Sequence, residues 1–198
     1  MSERIERASF APRLLKWFDQ HGRSGLPWQS PRTPYRVWLS EIMLQQTQVS
    51  AVIPYFERFI ARFPDLATLA TADSNEVMRH WAGLGYYARA RNLHAAARQV
   101  MEQHGGVFPA QFAAVQALKG IGRSTAAAIL AQAFDTPAAI LDGNVKRVLC
   151  RWAGIEGYPG EAQVNAQLWV LAESLLPNAR AADYVQAQMD LGATLCTA

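Results

Sequence analysis

Apolar residues recur along this chain at three- and four-residue intervals, and the two-residue alternation of a half-buried strand is nearly absent. That pattern predicts an all-α protein. Proline-containing loops divide it at Leu26-Pro27-Trp28, Ser30 to Pro34, Phe63-Pro64, Phe108-Pro109, Tyr158-Pro159 and Leu176-Pro177. Thr33 followed by Pro34 has the form of an N-cap and an N1 proline, so the spacing predicts a helix over about 34–49. Further helices are expected near 54–62, 74–82, 88–104, 111–118, 124–134, 145–153, 161–175 and 181–195. Charged pairs at i,i+4 are few, so these helices must be stabilised mainly by packing their apolar faces.

Composition sharpens this in three ways. The chain has 198 residues, 51% hydrophobic and 10% aromatic, which is enough to bury a sizeable core and excludes a disordered chain. The formal charge of +3 and pI near 9.1 permit a polyanionic partner without requiring one. Cys150 and Cys196 make no disulfide framework, as in a reducing compartment. The charged start, Met1 to Arg7, lacks the apolar core of a signal peptide. The most apolar stretch, Ala126 to Leu141, is interrupted by Gln132, Asp135 and Pro137, so no membrane span is expected. The expectation is a soluble cytoplasmic protein.

Four segments carry candidate chemistry. Glu41 lies among apolar and amide residues from Val37 to Val49, with no Lys or Arg within a helical turn. A carboxyl group in a dry pocket has a raised pKa and serves as a general acid near neutral pH; on an outer face it is merely solvated. Glu41, Gln45 and Gln48 fall at i, i+4 and i+7, one face of the expected helix, with Gln46 and Thr47 beside them. Such a polar stripe suits base edges or a gap in a base stack, and the bland alternative is a solvated face.

Leu118-Lys119-Gly120-Ile121-Gly122-Arg123-Ser124-Thr125 reads as a helix, a tight glycine turn and a second helix. The turn's N–H groups and the following helix N-terminus form a seat for a phosphate, although an ordinary helical hairpin has the same outline. No strand precedes it, which excludes a dinucleotide fingerprint. In Leu141-Asp142-Gly143-Asn144, Asp142 stands at a helix N-terminus, where it is either a simple N-cap or a carboxylate that the helix keeps ionised. Asn144 is placed to orient it. Two carboxyl groups with pKa values pushed apart suit a proton donor paired with an electrostatic stabiliser. The fourth segment, Gly83 to Leu93, sets Tyr86 and Tyr87 beside Arg89 and Arg91, for stacking on bases and neutralising phosphates, with one tyrosine expected in the core. His80 and His94 have no partner at ligand spacing, and Cys150 reads as a buried thiol.

Together with Leu26-Pro27-Trp28 and Met189-Asp190-Leu191-Gly192-Ala193, these strings resemble the adenine DNA glycosylases of the MutY type, within the helix-hairpin-helix glycosylase superfamily. The likeness runs from about Trp17 to Cys196. It implies a two-lobed fold: a six-helix-barrel lobe over 26–138 that includes the hairpin, and a second lobe from 1–25 plus 139–198. It also implies excision of adenine opposite 8-oxoguanine or guanine in double-stranded DNA, with the nucleotide flipped out of the duplex. By the resemblance, Glu41 protonates adenine N7, Asp142 stabilises the oxocarbenium-like sugar, and Asn144 supports Asp142. Gln45, Gln46, Gln48 and Tyr86 would enter the base stack, and Trp28 and Gln186 would line the adenine pocket. Gly120, Ile121, Gly122, Ser124 and Thr125 would grip the DNA strand.

Ser124 stands where the lyase relatives resembling endonuclease III carry a Schiff-base lysine, which implies a monofunctional enzyme. The alternatives are a pyrimidine-directed glycosylase/lyase of the endonuclease III kind and a non-catalytic hairpin module. The family spaces four cluster ligands as Cys-x6-Cys-x2-Cys-x5-Cys. Cys196 matches the first, and the sequence supplies two more residues and none of the other three ligands. A 4Fe–4S cluster, expected from the family, is therefore not expected to be held by this chain, which reads as a catalytic domain truncated after Cys196 and without the family's C-terminal domain. A monomer without membrane attachment, cytoplasmic and nucleoid-associated as in bacteria, completes the expectation.

Overall fold

The computed structural model describes residues 2–197, with side chains from Ser9 onward. Among them every regular element is helical: α1 Ser2–His21, α2 Pro34–Leu44, α3 Val49–Arg62, α4 Leu66–Thr71, α5 Ser74–Trp81, α6 Ala88–His104, α7 Phe112–Gln116, α8 Arg123–Phe134, α9 Gly143–Ala153, α10 Ala162–Ser174 and α11 Ala181–Thr194, with a single 3-10 turn at Pro27–Gln29. The chain forms two compact units, Gly25–Ile129 and Met1–Ser24 with Leu130–Ala198, so α8 begins in one and ends in the other. No helix among the described residues is long and apolar enough to cross a membrane.

The one helix expected over 34–49 is two. Thr33 caps α2, accepting from the Arg36 N–H at 3.3 Å, with Pro34 at the first position. The helix stops at Leu44: Gln45 leaves helical geometry, Gln46 is left-handed with φ 57°, and Gln48 is the extended N-cap of α3. Glu41, Gln45 and Gln48 therefore do not share a helix face. No glycine or proline marks this break in the sequence; Arg89, from α6, bonds the carbonyls at the helix end. Two helices were not expected. α1 holds an apolar stripe with Phe10, Ala11 and Leu14 buried. α4 is six residues long, and its N-cap Asp65 accepts from the Thr68 N–H at 2.7 Å.

In the unit Gly25–Ile129, the core is aromatic. Trp38, Phe56, Phe59, Phe63 and Trp81 are fully buried. Phe59 meets Phe63 at 4.8 Å between ring centres and Trp81 at 6.0 Å, edge-on to the latter. Each such side chain contributes about 1.5–3 kcal/mol by leaving water.

The unit made of both chain ends packs α11 against α1 and α9. Phe10 of α1 touches Trp152 at 4.8 Å and Tyr184 at 6.4 Å between ring centres. Asp190, with no exposed surface, accepts from the backbone N–H, Nε and Nη2 of Arg23 at 2.7, 2.8 and 2.6 Å. Gln186 Nε2 adds a fourth bond at 2.7 Å. Gly192 lets α11 approach the start of α9, since a Cβ there would lie 2.6 Å from that of Asn144.

Candidate catalytic and nucleic-acid site

The candidate residues fall into local groups on both units. On Gly25–Ile129, Glu41 is half-buried one turn before the end of α2. Beyond that end, Gln45 and Gln46 line an open cavity of about 350 Å³ with Tyr86, Tyr87, Ala88, Arg89 and Arg91. Tyr86 and Tyr87 are 58% and 44% exposed, so neither is in the core. Gln46 and Gln48 are exposed, and Gln48 caps α3 without lining the cavity. Trp28 is buried against Phe56, edge-on at 5.4 Å. Arg36 donates to the Pro27 carbonyl at 2.6 Å and lies over the Phe56 ring.

Arg89 is the main departure from the expected basic surface. Its side chain is buried, and its guanidinium donates to oxygens of two loops rather than facing outward. Nη1 reaches the carbonyls of Ile42, Met43 and Gln45, and Nη2 reaches Thr47 Oγ1 and the carbonyls of Leu84 and Gly85. Burial pulls its pKa below the ordinary arginine value. The carbonyls of Ile42, Met43 and Gln45 are at the orphan end of α2, where the helix dipole also favours a cation.

The hairpin is as expected in outline, with the first helix shortened to Phe112–Gln116. Gly120 has φ 80°, the Ile121 N–H donates to the Leu118 carbonyl at 3.1 Å, and α8 starts at Arg123. Gly120 and Gly122 are exposed, Ile121 is buried beneath them, and Ser124 and Thr125 are half-buried. Gln99 of α6 holds the turn from behind, donating to the Ala117 carbonyl and accepting from the Lys119 N–H, each at 3.2 Å. Gln45 Nε2 reaches Thr125 Oγ1 at 3.5 Å, a long contact that brings the end of α2 to the first turn of α8.

On the other unit, Asp142 is the N-cap of α9 and accepts from the Val145 N–H at 2.8 Å. The helix was expected to keep this carboxylate ionised. Instead burial pushes its pKa above the ordinary aspartate value, outweighing the downward pull of the Val145 and Asn144 N–H groups and of Arg147. The residue keeps some exposed surface, but the protein packed around its carboxyl sets the direction. Asn144 Oδ1 accepts from Arg147 Nη2 at 2.7 Å. The same Nη2 reaches the Gly192 carbonyl at 2.8 Å, Nη1 reaches the Gly143 carbonyl at 3.1 Å, and Nε reaches the Cys196 carbonyl at 3.1 Å. Lys146 Nζ donates to the Pro159 carbonyl at 3.1 Å. Gln186 is buried, and its amide nitrogen is committed to Asp190.

Sequence reasoning missed Arg147, Arg23 and Asp190 as organisers, because their partners lie 45 to 167 residues away. Cys150 and Cys196 are free half-buried thiols, and burial pushes that of Cys150 up. Arg151 Nη1 lies 3.1 Å from Cys196 Sγ. Among the described residues no group of three or more His, Cys, Asp or Glu side chains is placed to hold a metal ion. A 4Fe–4S cluster takes four thiolates, so these two cysteines do not fit it.

Residues 39–174 match the profile of the HhH-GPD superfamily of base excision DNA repair proteins. The chain is 44% identical over 187 residues to the adenine DNA glycosylase of Buchnera aphidicola subsp. Acyrthosiphon pisum (strain APS), covering 94% of this chain and 53% of that protein. It is 46% identical over 201 residues to the adenine DNA glycosylase of Homo sapiens, covering 97% of this chain and 37% of that one. The chain thus spans about half or less of the curated relatives it matches. A thermostable thymine-DNA glycosylase shares the fold with a TM-score of 0.89 and 28% identity, covering all of this chain and 90% of that one. An endonuclease III in a non-covalent DNA complex gives a TM-score of 0.82 at 18% identity, covering all of this chain and 88% of that one.

Proposed function

The chain belongs to the HhH-GPD superfamily of base excision DNA repair proteins, and from that premise we propose that it is the catalytic region of a monofunctional glycosylase that excises adenine opposite 8-oxoguanine or guanine in double-stranded DNA. The observation that carries this reading is the 44% and 46% identity, over nearly the whole chain, to adenine DNA glycosylases. The two units then serve as a six-helix lobe and a lobe built from both chain ends. The protein acts as a monomer in the cytoplasm, on the nucleoid.

The chemistry follows from the groups named. Enzymes of this kind reach a base by turning its nucleotide out of the stack. An adenine anion is a poor leaving group, so a proton must reach N7 as the C1′–N9 bond breaks. Glu41 supplies it. The electron pair of that bond leaves with the adenine, and the sugar becomes oxocarbenium-like. Asp142 faces this cation as an anion, Asn144 orients it, and water adds at C1′ with its proton returning to the Glu41 carboxylate, in the manner of two-carboxylate glycoside cleavage. Because burial raises the Asp142 pKa, activity falls on the acid side as this group takes up a proton. Ser124 offers no amine for a Schiff base, so strand cleavage does not accompany base release. Gln45, Gln46, Gln48 and Tyr86 act on the duplex around the mispair, and Trp28 and Gln186, each within its own unit, serve adenine recognition. Gly120 to Thr125 hold the phosphates.

The test is single-turnover base release from duplexes carrying adenine opposite 8-oxoguanine and opposite guanine. Glu41→Gln should abolish release and leave duplex affinity nearly unchanged. Full turnover by Glu41→Gln, or release of an oxidised pyrimidine with borohydride-trappable enzyme, would overturn the reading. Binding without release of any base, in a chain extended through the cluster cysteines, would instead leave a DNA-binding module.

A further inference from the structure

Two non-glycine residues at the mouth of the cavity hold left-handed backbone: Gln46 at φ 57° and Tyr86 at φ 48°. Such geometry is strained for these side chains and persists only where the surroundings over-determine it. They are 40 positions apart in sequence, yet one guanidinium serves both. Arg89 holds the residue before Gln46 by the Gln45 carbonyl and the residue after it by Thr47 Oγ1, the latter at 3.1 Å. It holds the residue before Tyr86 by the Gly85 carbonyl at 3.3 Å, and its own N–H donates to the Tyr86 carbonyl at 2.9 Å. The guanidinium carbon also lies 5.2 Å from the centre of the Tyr86 ring and 5.5 Å from that of Trp81. Trp81 Nε1 in turn donates to the Gly85 carbonyl at 3.0 Å. All six oxygens around the guanidinium are neutral, and the Nε hydrogen has no partner. Burying a cation among neutral oxygens, with no carboxylate to pair it, costs free energy.

From this geometry we infer that Arg89 is a positioning residue that locks the Gln46 turn and the Tyr86 turn together, so that the two exposed side chains act on a duplex as one wedge rather than as two independent contacts. The inference rests on the DNA-acting reading above, and it assigns Arg89 no contact with DNA. A planar fork with two amino groups reaches both loops at once; a lysine ammonium is a point donor and reaches one.

The experiment measures duplex affinity by fluorescence anisotropy, with adenine opposite guanine and in a Glu41→Gln background so that no turnover intervenes. Gln46→Ala, Tyr86→Ala and the pair are compared with Arg89 present and with Arg89→Lys. Coupled residues give non-additive losses. With Arg89 present the pair should deviate from additivity by about fivefold, and with Arg89→Lys that deviation should disappear. Equal coupling in both backgrounds, or strict additivity with Arg89 present, overturns the inference. Hydrogen exchange of the otherwise unaltered chain gives a second readout that requires no substitution at Arg89. The amides of 45–47 and 84–87 should open at one common rate, and Tyr86→Gly should speed exchange in both segments; independent opening overturns the inference. Neither readout needs base release, so failure of the glycosylase reading shows separately, as absent release with coupling intact.

Discussion

Arg147 Nη2 donates to Asn144 Oδ1 at 2.7 Å, and the same side chain reaches the carbonyls of Gly143, Gly192 and Cys196. One guanidinium therefore fixes the rotamer of Asn144 and ties the start of α9 to the end of α11. The close approach that Gly192 permits makes this possible, because any larger residue would push Asn144 away. Replacing Arg147 with methionine keeps the stem's bulk and removes the bonds. Asn144 is then free to rotate, and on the proposed mechanism its side chain no longer orients Asp142. Single-turnover release should fall by about tenfold or more, as expected for a small misplacement of a reacting group. Since the Arg147 charge pulls the Asp142 pKa down, its loss should also move the acid limb of the rate profile to higher pH. An unmoved acid limb would show that Arg147 acts on the fold alone.

The Asp142 carboxyl has a second, independent signature. Its folded-state pKa is raised by burial, so the native protein holds this proton more tightly than the unfolded chain does. The stability this adds is present in full below the unfolded value, near about 3.9, and is lost as pH rises through the raised folded value. Above that window the buried carboxylate is a net cost. Asp142→Asn keeps a good N-cap and removes the charge. It should melt higher than the unaltered chain at pH 7, with the gap closing as pH falls toward 4. A gain of about 2–4 °C would correspond to roughly 1 kcal/mol in a chain of this size. The same variant should release no adenine. Thermal unfolding from pH 4 to 8 decides this, and a lower melting temperature for Asp142→Asn at pH 7 would contradict it.

Local signals made much of this molecule readable in advance, and long-range contacts hid the rest. Thr33 with Pro34, and Asp142 before Gly143, announce helix starts because the capping bond spans three residues. The glycines of the hairpin announce its turn for the same reason. The break after Leu44 left no such mark. Gln45, Gln46 and Thr47 are compatible with a helix, yet the Gln45 carbonyl and Thr47 Oγ1 meet Arg89, 44 and 42 positions further along the chain. Of the two arginines read as phosphate contacts, Arg89 turns inward, whereas Arg91 is exposed and lines the open cavity. Arg23, Arg36 and Arg147 likewise donate to the protein itself. The direction of the Asp142 shift was misread because the helix N-terminus is visible in sequence and the packing around the carboxyl is not.

Gly120 and Gly122 lie in one turn and should answer substitution differently. Gly120 has φ 80°, and a Cβ there would lie 2.7 Å from the Asn92 Cβ of α6. Alanine at this site meets both a left-handed backbone, about 1–2 kcal/mol against it, and a packed neighbour with no flexible end to move. Gly120→Ala should therefore lower the melting temperature by about 4–8 °C, the equivalent of roughly 2 kcal/mol. A Cβ at Gly122 would meet nothing within 4 Å, and its φ is ordinary. Gly122→Ala should leave the melting temperature within about 1–2 °C of the unaltered chain, as surface changes usually do. If the turn's backbone approaches a phosphate closely, that added methyl lies in the way. Duplex affinity of Gly122→Ala should then fall by about tenfold, with the salt dependence of binding little changed because no Lys or Arg is lost. Unchanged affinity in a normally folded Gly122→Ala protein would mean that the hairpin turn does not touch the strand.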